Sequence, residues 1–140
     1  MDFGPPADLA SYFGGRARLV ACPALNEPRG SLLPLELRDL PFAPARVFAV
    51  TDVPVGTERG GHAHRSGLQL LVCLQGRVEV LMRWSGDTQR LILTPGAPSL
   101  MIGPGVWSSQ TYLEAGAVLL ALASEPYDPA SYVDEPPGSA

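Results

Sequence analysis

Fifteen glycines and fifteen prolines, scattered through 140 residues between short apolar runs, narrow what this chain can fold into. Proline removes a backbone donor and clashes with the preceding helical turn, and glycine loses the most conformational freedom on entering a helix. Both residues serve instead as corners between strands. The pattern predicts an all-β fold with strands over 17–22, 31–35, 45–51, 62–64, 68–75, 77–84, 89–93, 99–102, 109–113 and 117–123. Such even spacing suits a sandwich or barrel better than α/β crossover units. One short helix is expected near 7–13, and a turn after Asp128 is expected to hold Tyr132 against the body, with EPPGSA frayed beyond it.

The length supports one hydrophobic core, so a single domain over 1–140 with its core about 17–133 is expected. Within it the run LQLLVCL reads as a central strand buried on both faces, and VEVLMRW as one with a wetter side. Gly76 between them reads as a hairpin turn, and Ser85-Gly86-Asp87 as the next turn. Cys22 and Cys73 both fall in apolar runs and read as reduced core thiols.

Ten Lys+Arg against fourteen Asp+Glu give a net charge of -4, with no basic block to meet a phosphate backbone, which argues against nucleic-acid partners. The longest apolar stretch, around 115–123, is too short to span a bilayer, and MDFGPPADLASYFGG lacks the basic and hydrophobic regions of a signal peptide. The expectation is a cytoplasmic protein with no membrane partner.

The chemistry concentrates in GTERGGHAHRSGLQLLVCLQG, where the chain's two histidines, His62 and His64, stand two apart. In a strand they project from one face while Ala63 faces the other. On the inner face of a barrel both imidazoles enter the cavity; a solvent-facing pair or satisfied core histidines is the competing reading. From Gly56 the chain runs five residues to H-x-H, four to Gln69 and six to Gly76. This spacing resembles the first motif of the cupin superfamily, small jelly-roll β-barrels, with Gln69 where metal-binding members usually carry glutamate. The second-motif region, GPGVWSSQ, has Ser108 where those members have a histidine. Two nitrogen ligands fall short of the three or four side chains that zinc or iron sites use, so no metal and no other cofactor is expected.

A closer resemblance runs from about Leu19 to Tyr132. EPRGSLLPLEL, LPFAPARVFAV, RGGHAHR, QLLVCLQG, GPGVW and LLALASEPYDPASYV, in this order, resemble the WxcM-like nucleotide-sugar 3,4-ketoisomerases. The resemblance implies a metal-independent homodimer that moves the ketone of a dTDP-linked 4-keto-6-deoxyhexose, dTDP-4-keto-6-deoxyglucose, from C4 to C3 ahead of aminotransfer. His62 and His64 match the family's acid/base histidines, and Arg46, Arg59, Gln69 and Trp107 match its R-V-F, R-G, post-histidine and V-W elements as substrate-binding candidates. Ser108 joins them in place of the family's V-W-H histidine, Ala49 replaces an aromatic after R-V-F, Arg65 replaces a lysine, and Tyr132-Val133-Asp134 replaces Y-I-R.

Imidazole suits this reaction because its pKa of about 6.5 lets it take and give a proton near neutrality. His64 is read as the base at C3 and His62 as the relay, with the reverse assignment open. Arg46 and Arg59 are read as diphosphate partners, since a guanidinium fork matches phosphate oxygens, with a solvated strand-end charge for Arg46 and a surface turn residue for Arg59 as the competing readings. Gln69 reads as an orienting amide or a plain strand residue, and Trp107 as a stacking platform or core. Tyr127 and Tyr132 read as edge packing, Glu27 and Arg29 as a turn, and the apolar side of the first strands as the dimer face. Two alternatives stand beside the isomerase. One is a non-catalytic nucleotide-sugar-binding cupin; the other is a metal-dependent enzyme that recruits Glu79 to the histidines.

Overall fold

The computed structural model describes residues 8–134. Its strands are β1 (Asp8–Tyr12), β2 (Ala17–Val20), β3 (Leu25–Glu27), β4 (Gly30–Leu32), β5 (Arg46–Val50), β6 (Glu58–His64) and β7 (Gln69–Gln75), followed by β8 (Val78–Trp84), β9 (Asp87–Leu93), β10 (Ser99–Ile102), β11 (Trp107–Tyr112), β12 (Val118–Ala123) and β13 (Tyr132–Val133). They form a six-stranded sheet ordered β1-β2-β10-β7-β12-β5, a five-stranded sheet ordered β13-β6-β11-β8-β9, and the β3-β4 hairpin. The two large sheets make the jelly-roll sandwich expected of a cupin. No described helix is long and apolar enough to cross a membrane.

The main core lies between the sheets. Leu71 and Cys73 of β7, Leu100 of β10 and Leu119 of β12 meet Val78, Val80 and Met82 of β8 and Tyr112 of β11. A second core covers the outer face of the six-stranded sheet, where Leu70, Val72, Met101 and Leu122 pack under Leu33, Leu35, Leu40 and Phe42. This second layer is why LQLLVCL lacks alternation: β7 sits at the centre of its sheet with apolar residues buried on both sides. In β8, Val78, Val80 and Met82 are fully buried while Arg83 is exposed. Both cysteines are buried free thiols, and burial pushes both above the usual thiol range.

Three local expectations change. Residues 8–12 form a strand rather than a helix, antiparallel to β2 at a sheet edge, and Phe13, Gly14 and Gly15 turn with positive φ. So short a helix cannot offset its own nucleation cost, whereas the sheet edge supplies ready backbone partners. Within 31–35 the strand stops at Leu32; Pro34, which has no N–H, follows, and Leu33 and Leu35 pack against the outer core instead. Gly76 is not a hairpin turn, because β7 and β8 belong to different sheets, and the glycine turns a corner between them at φ 77°. The Ser85-Gly86 turn is a true hairpin: Trp84 opposes Asp87, and both central residues have positive φ, as a type I′ turn needs. Residue 7 of the expected helix and the EPPGSA tail lie outside the described residues.

Candidate active site

Strand β6 carries the histidines between β11 on one side and β13 on the other. Ala63 is fully buried on the opposite face, and the His64 carbonyl accepts a 2.7 Å hydrogen bond from the Gly105 amide of the GPGVW stretch. The two imidazoles open into a cavity of about 500 Å³ that also takes residues from β5, β7, β11 and β12. Their ring centroids are 5.3 Å apart at 77°. Tyr132, opposite His64 in the β13 register, stacks on His62 at 4.4 Å and meets His64 edge-on at 4.6 Å.

The placement of Arg59 depends on a bulge. His62 pairs with Ser108 and Gly60 with Ser109, so Gly61 is an extra residue on β6, and Gly60 and Gly61 take φ values of 80° and 82° that favour glycine. The inserted residue shifts the alternation, so that Arg59 lines the same cavity as His62 and His64. Arg46 reaches it from β5, with its guanidinium 4.4 Å from the Phe48 ring and 5.0 Å from that of Tyr127. Two guanidinium groups therefore border the histidine cavity.

Gln69 Nε2 lies 3.0 Å from His64 Nε2. An amide's two ends are nearly isosteric, so Gln69 either donates to the lone pair on Nε2 or, turned end for end, accepts from Nε2–H and leaves Nδ1 as the basic nitrogen. Burial holds His64 below the ordinary imidazole pKa; His62 and Arg46 lower it further, and Glu125 partly opposes them. Burial also lowers His62, against Asp134 and a backbone hydrogen bond at Gly60. Both rings are therefore neutral near pH 7, the form a base requires. A reaction that uses either ring as its base should show kcat/KM level above pH 7 and falling about tenfold per pH unit on the acid side, as protonation removes that base. The midpoint should lie below 6.5 in a pH–rate profile, and a midpoint above 6.5 would contradict the burial argument.

Ser108 of β11 lines the cavity at 8% exposure, and Gln110 and Tyr112 follow it on the same face. Trp107 does not join them. Its indole N–H donates to the Asp134 carbonyl at 3.1 Å and the Arg83 guanidinium lies 5.2 Å from its ring, so it pins the chain beyond β13 rather than offering a platform in the cavity. Glu79 pairs with Arg90 across β8 and β9, with Val78 and Val80 of the core on the other face of its strand, so it does not reach the histidines. Among the described residues, no group of three or more His, Cys, Asp or Glu is arranged to hold a metal ion.

Two parts of the site lie beyond the motif. Tyr132 reads as edge packing, and nothing local announces that a two-residue strand would lay it on His62. Gln110 and Tyr112 were within reach, since alternation from Ser108 along SSQTY sends all three to one face.

The family model FdtA, described as WxcM-like, C-terminal, matches residues 16–137. The chain belongs to this WxcM-like family. The TDP-4-oxo-6-deoxy-alpha-D-glucose-3,4-oxoisomerase of Aneurinibacillus thermoaerophilus is 34% identical over 108 residues, 76% of this chain and 78% of that protein. Among solved structures, a mutant of the 3,4-ketoisomerase QdtA from Thermoanaerobacterium thermosaccharolyticum, in complex with TDP-4-keto-6-deoxyglucose, superposes with a TM-score of 0.81 at 32% identity, covering 86% of this chain and 88% of its own. The WlaRB TDP-quinovose 3,4-ketoisomerase from Campylobacter jejuni follows at 0.77 and 30%, covering 85% and 92%. The WxcM-like sequence match thus runs through every strand that lines the cavity.

Proposed function

We propose that the protein is a sugar 3,4-ketoisomerase that converts dTDP-4-keto-6-deoxyglucose to a dTDP-3-keto-6-deoxyhexose, with His64 as the base and no metal in the reaction. The observation that carries this reading is the pair of imidazoles brought together in one cavity bordered by two arginines, where burial holds both below the ordinary imidazole pKa. His64 takes the C3 proton; the C–H electron pair becomes the C3=C4 bond of an enediolate, and the former carbonyl electrons move to the C4 oxygen. A proton then passes from the C3 hydroxyl to the C4 oxygen through His62, the C3–O electrons form the new carbonyl, and the C3=C4 electron pair takes a proton at C4 from the protonated His64, directly or through His62, which returns both rings to the neutral form. Arg46 and Arg59 meet the diphosphate, and Gln69 fixes which nitrogen of His64 is basic. A homodimer belongs to the same proposal: Leu9 on β1 and Leu32 on β4 are more than half exposed and suit burial against a second copy.

The deciding experiment is proton NMR of dTDP-4-keto-6-deoxyglucose with the purified protein in D2O. Loss of the C3 proton signal with appearance of a 3-keto species is expected. Substrate that stays intact while bound, with no exchange, would replace the isomerase by the non-catalytic nucleotide-sugar-binding protein.

A further inference from the structure

Resting on that isomerase reading, the hydroxyl of Ser108 has one feature that its role as a cavity residue does not explain. In the orientation the structure gives, Gln110 Nε2 donates to Ser108 Oγ at 3.1 Å; turned end for end, the amide would instead accept from the hydroxyl, and Gln110→Met would then raise kcat rather than lower it. A serine hydroxyl has a single proton, and while its oxygen accepts from Gln110 that proton must point elsewhere. Among the described residues Ser108 Oγ donates to no protein acceptor. The direction left to it is toward the cavity that Ser108 lines, where it sits opposite His62 in the β6–β11 register. The amide that sets this direction is itself held. A Cβ on Gly60 would come within 2.6 Å of Gln110 Oε1, so the side chain occupies the space that glycine leaves, over a backbone turned at φ 80°.

We propose that Gln110 and Ser108 form a pre-aimed hydrogen-bond donor for the C4 oxygen of the sugar, with Gln110 the positioning residue and Ser108 the group that touches substrate. When His64 removes the C3 proton, negative charge develops on the C4 oxygen, and a donor already aimed there stabilises the enediolate without reorganising. No proton leaves Ser108, whose hydroxyl is far too weak an acid; it donates a hydrogen bond only. The donor acts on charge that appears in the transition state, so its loss should fall on kcat more than on KM.

The test is a double-mutant cycle on steady-state kinetics with dTDP-4-keto-6-deoxyglucose. Ser108→Ala should lower kcat by about 10²-fold, the scale of losing one oxyanion donor. Gln110→Met keeps the length of the side chain but cannot donate, so the hydroxyl becomes free to turn among its three staggered positions and kcat should drop about threefold to tenfold. In the Ser108→Ala background, Gln110→Met should cost nothing further. Wild-type turnover in Ser108→Ala, or an equal cost of Gln110→Met with and without the serine, would overturn the proposal, the latter by showing that Gln110 acts only through packing. Either result in an enzyme that His64→Asn inactivates would leave the isomerase reading standing. A wild-type protein with no turnover would remove that reading and this inference together.

Discussion

Replacing His64 by asparagine is expected to lower kcat by about 10²- to 10⁴-fold, the range a positioned general base supplies, with nucleotide-sugar binding retained. Asparagine is polar and near enough in size to keep a hydrogen bond to Gln69, whose amide sits 3.0 Å from the ring it replaces. The two arginines are untouched, so affinity should survive while proton removal fails. Exchange of the C3 proton in D2O should stop in step with turnover. His62→Asn should cost less if His62 only relays between oxygens, and as much if it delivers the proton to C4. The double variant should keep its fold, measured by circular dichroism and thermal melting, and lose nearly all turnover. A folded double variant that still isomerises would remove the histidine mechanism.

How far the site was legible depends on which residues each part uses. His62, His64 and Gln69 lie within eight residues of one another, and strand alternation alone puts the two rings on one face. Arg59 breaks that rule: three positions before His62 it would face the other way in a regular strand, and only the extra residue at Gly61 turns it inward. The Gly60-Gly61 pair was a visible signal of a bulge, but its register comes from β11, a partner about fifty residues away in sequence. Tyr132 reaches His62 through a two-residue strand with no periodicity of its own, held by the Trp107 hydrogen bond to Asp134, by Asp128 accepting from the Ala130 amide, and by the Arg65 amide bonded to the Ser131 carbonyl. Trp107 lies away from the cavity for the converse reason. A motif places its position in the family, but β11 directs its side chain to the opposite face from Ser108 and Gln110. Local pattern thus locates most of the strands and the two histidines that share the cavity, while contacts between distant segments decide which other side chains surround them.

The same distinction yields a stability test at Gly76. Gly76 and Gly96 both have φ 77°, so an alanine at either position meets the same left-handed strain, of about 1–2 kcal/mol. Their surroundings differ. At Gly96 a Cβ has nothing within 4 Å, whereas at Gly76 it would lie 2.9 Å from Ala117 Cα and 3.0 Å from Ala117 Cβ. Ala117 is 2% exposed and leads directly into β12, which is paired on both sides by β7 and β5, so its backbone has little freedom to withdraw. Overpacking of this kind adds about 1–3 kcal/mol. Gly96→Ala should therefore cost about 1–2 kcal/mol in urea unfolding and Gly76→Ala about 2–5 kcal/mol, a large share of the roughly 5–15 kcal/mol that holds a domain together. Equal losses at the two positions would mean that the corner between the sheets yields to a methyl group. A hairpin turn would allow that, because its tip is free to move into solvent; a corner closed against β12 does not, and a larger loss at Gly76 is the signature of the crossover that carries the chain from the six-stranded sheet into the five-stranded sheet that also holds the histidines.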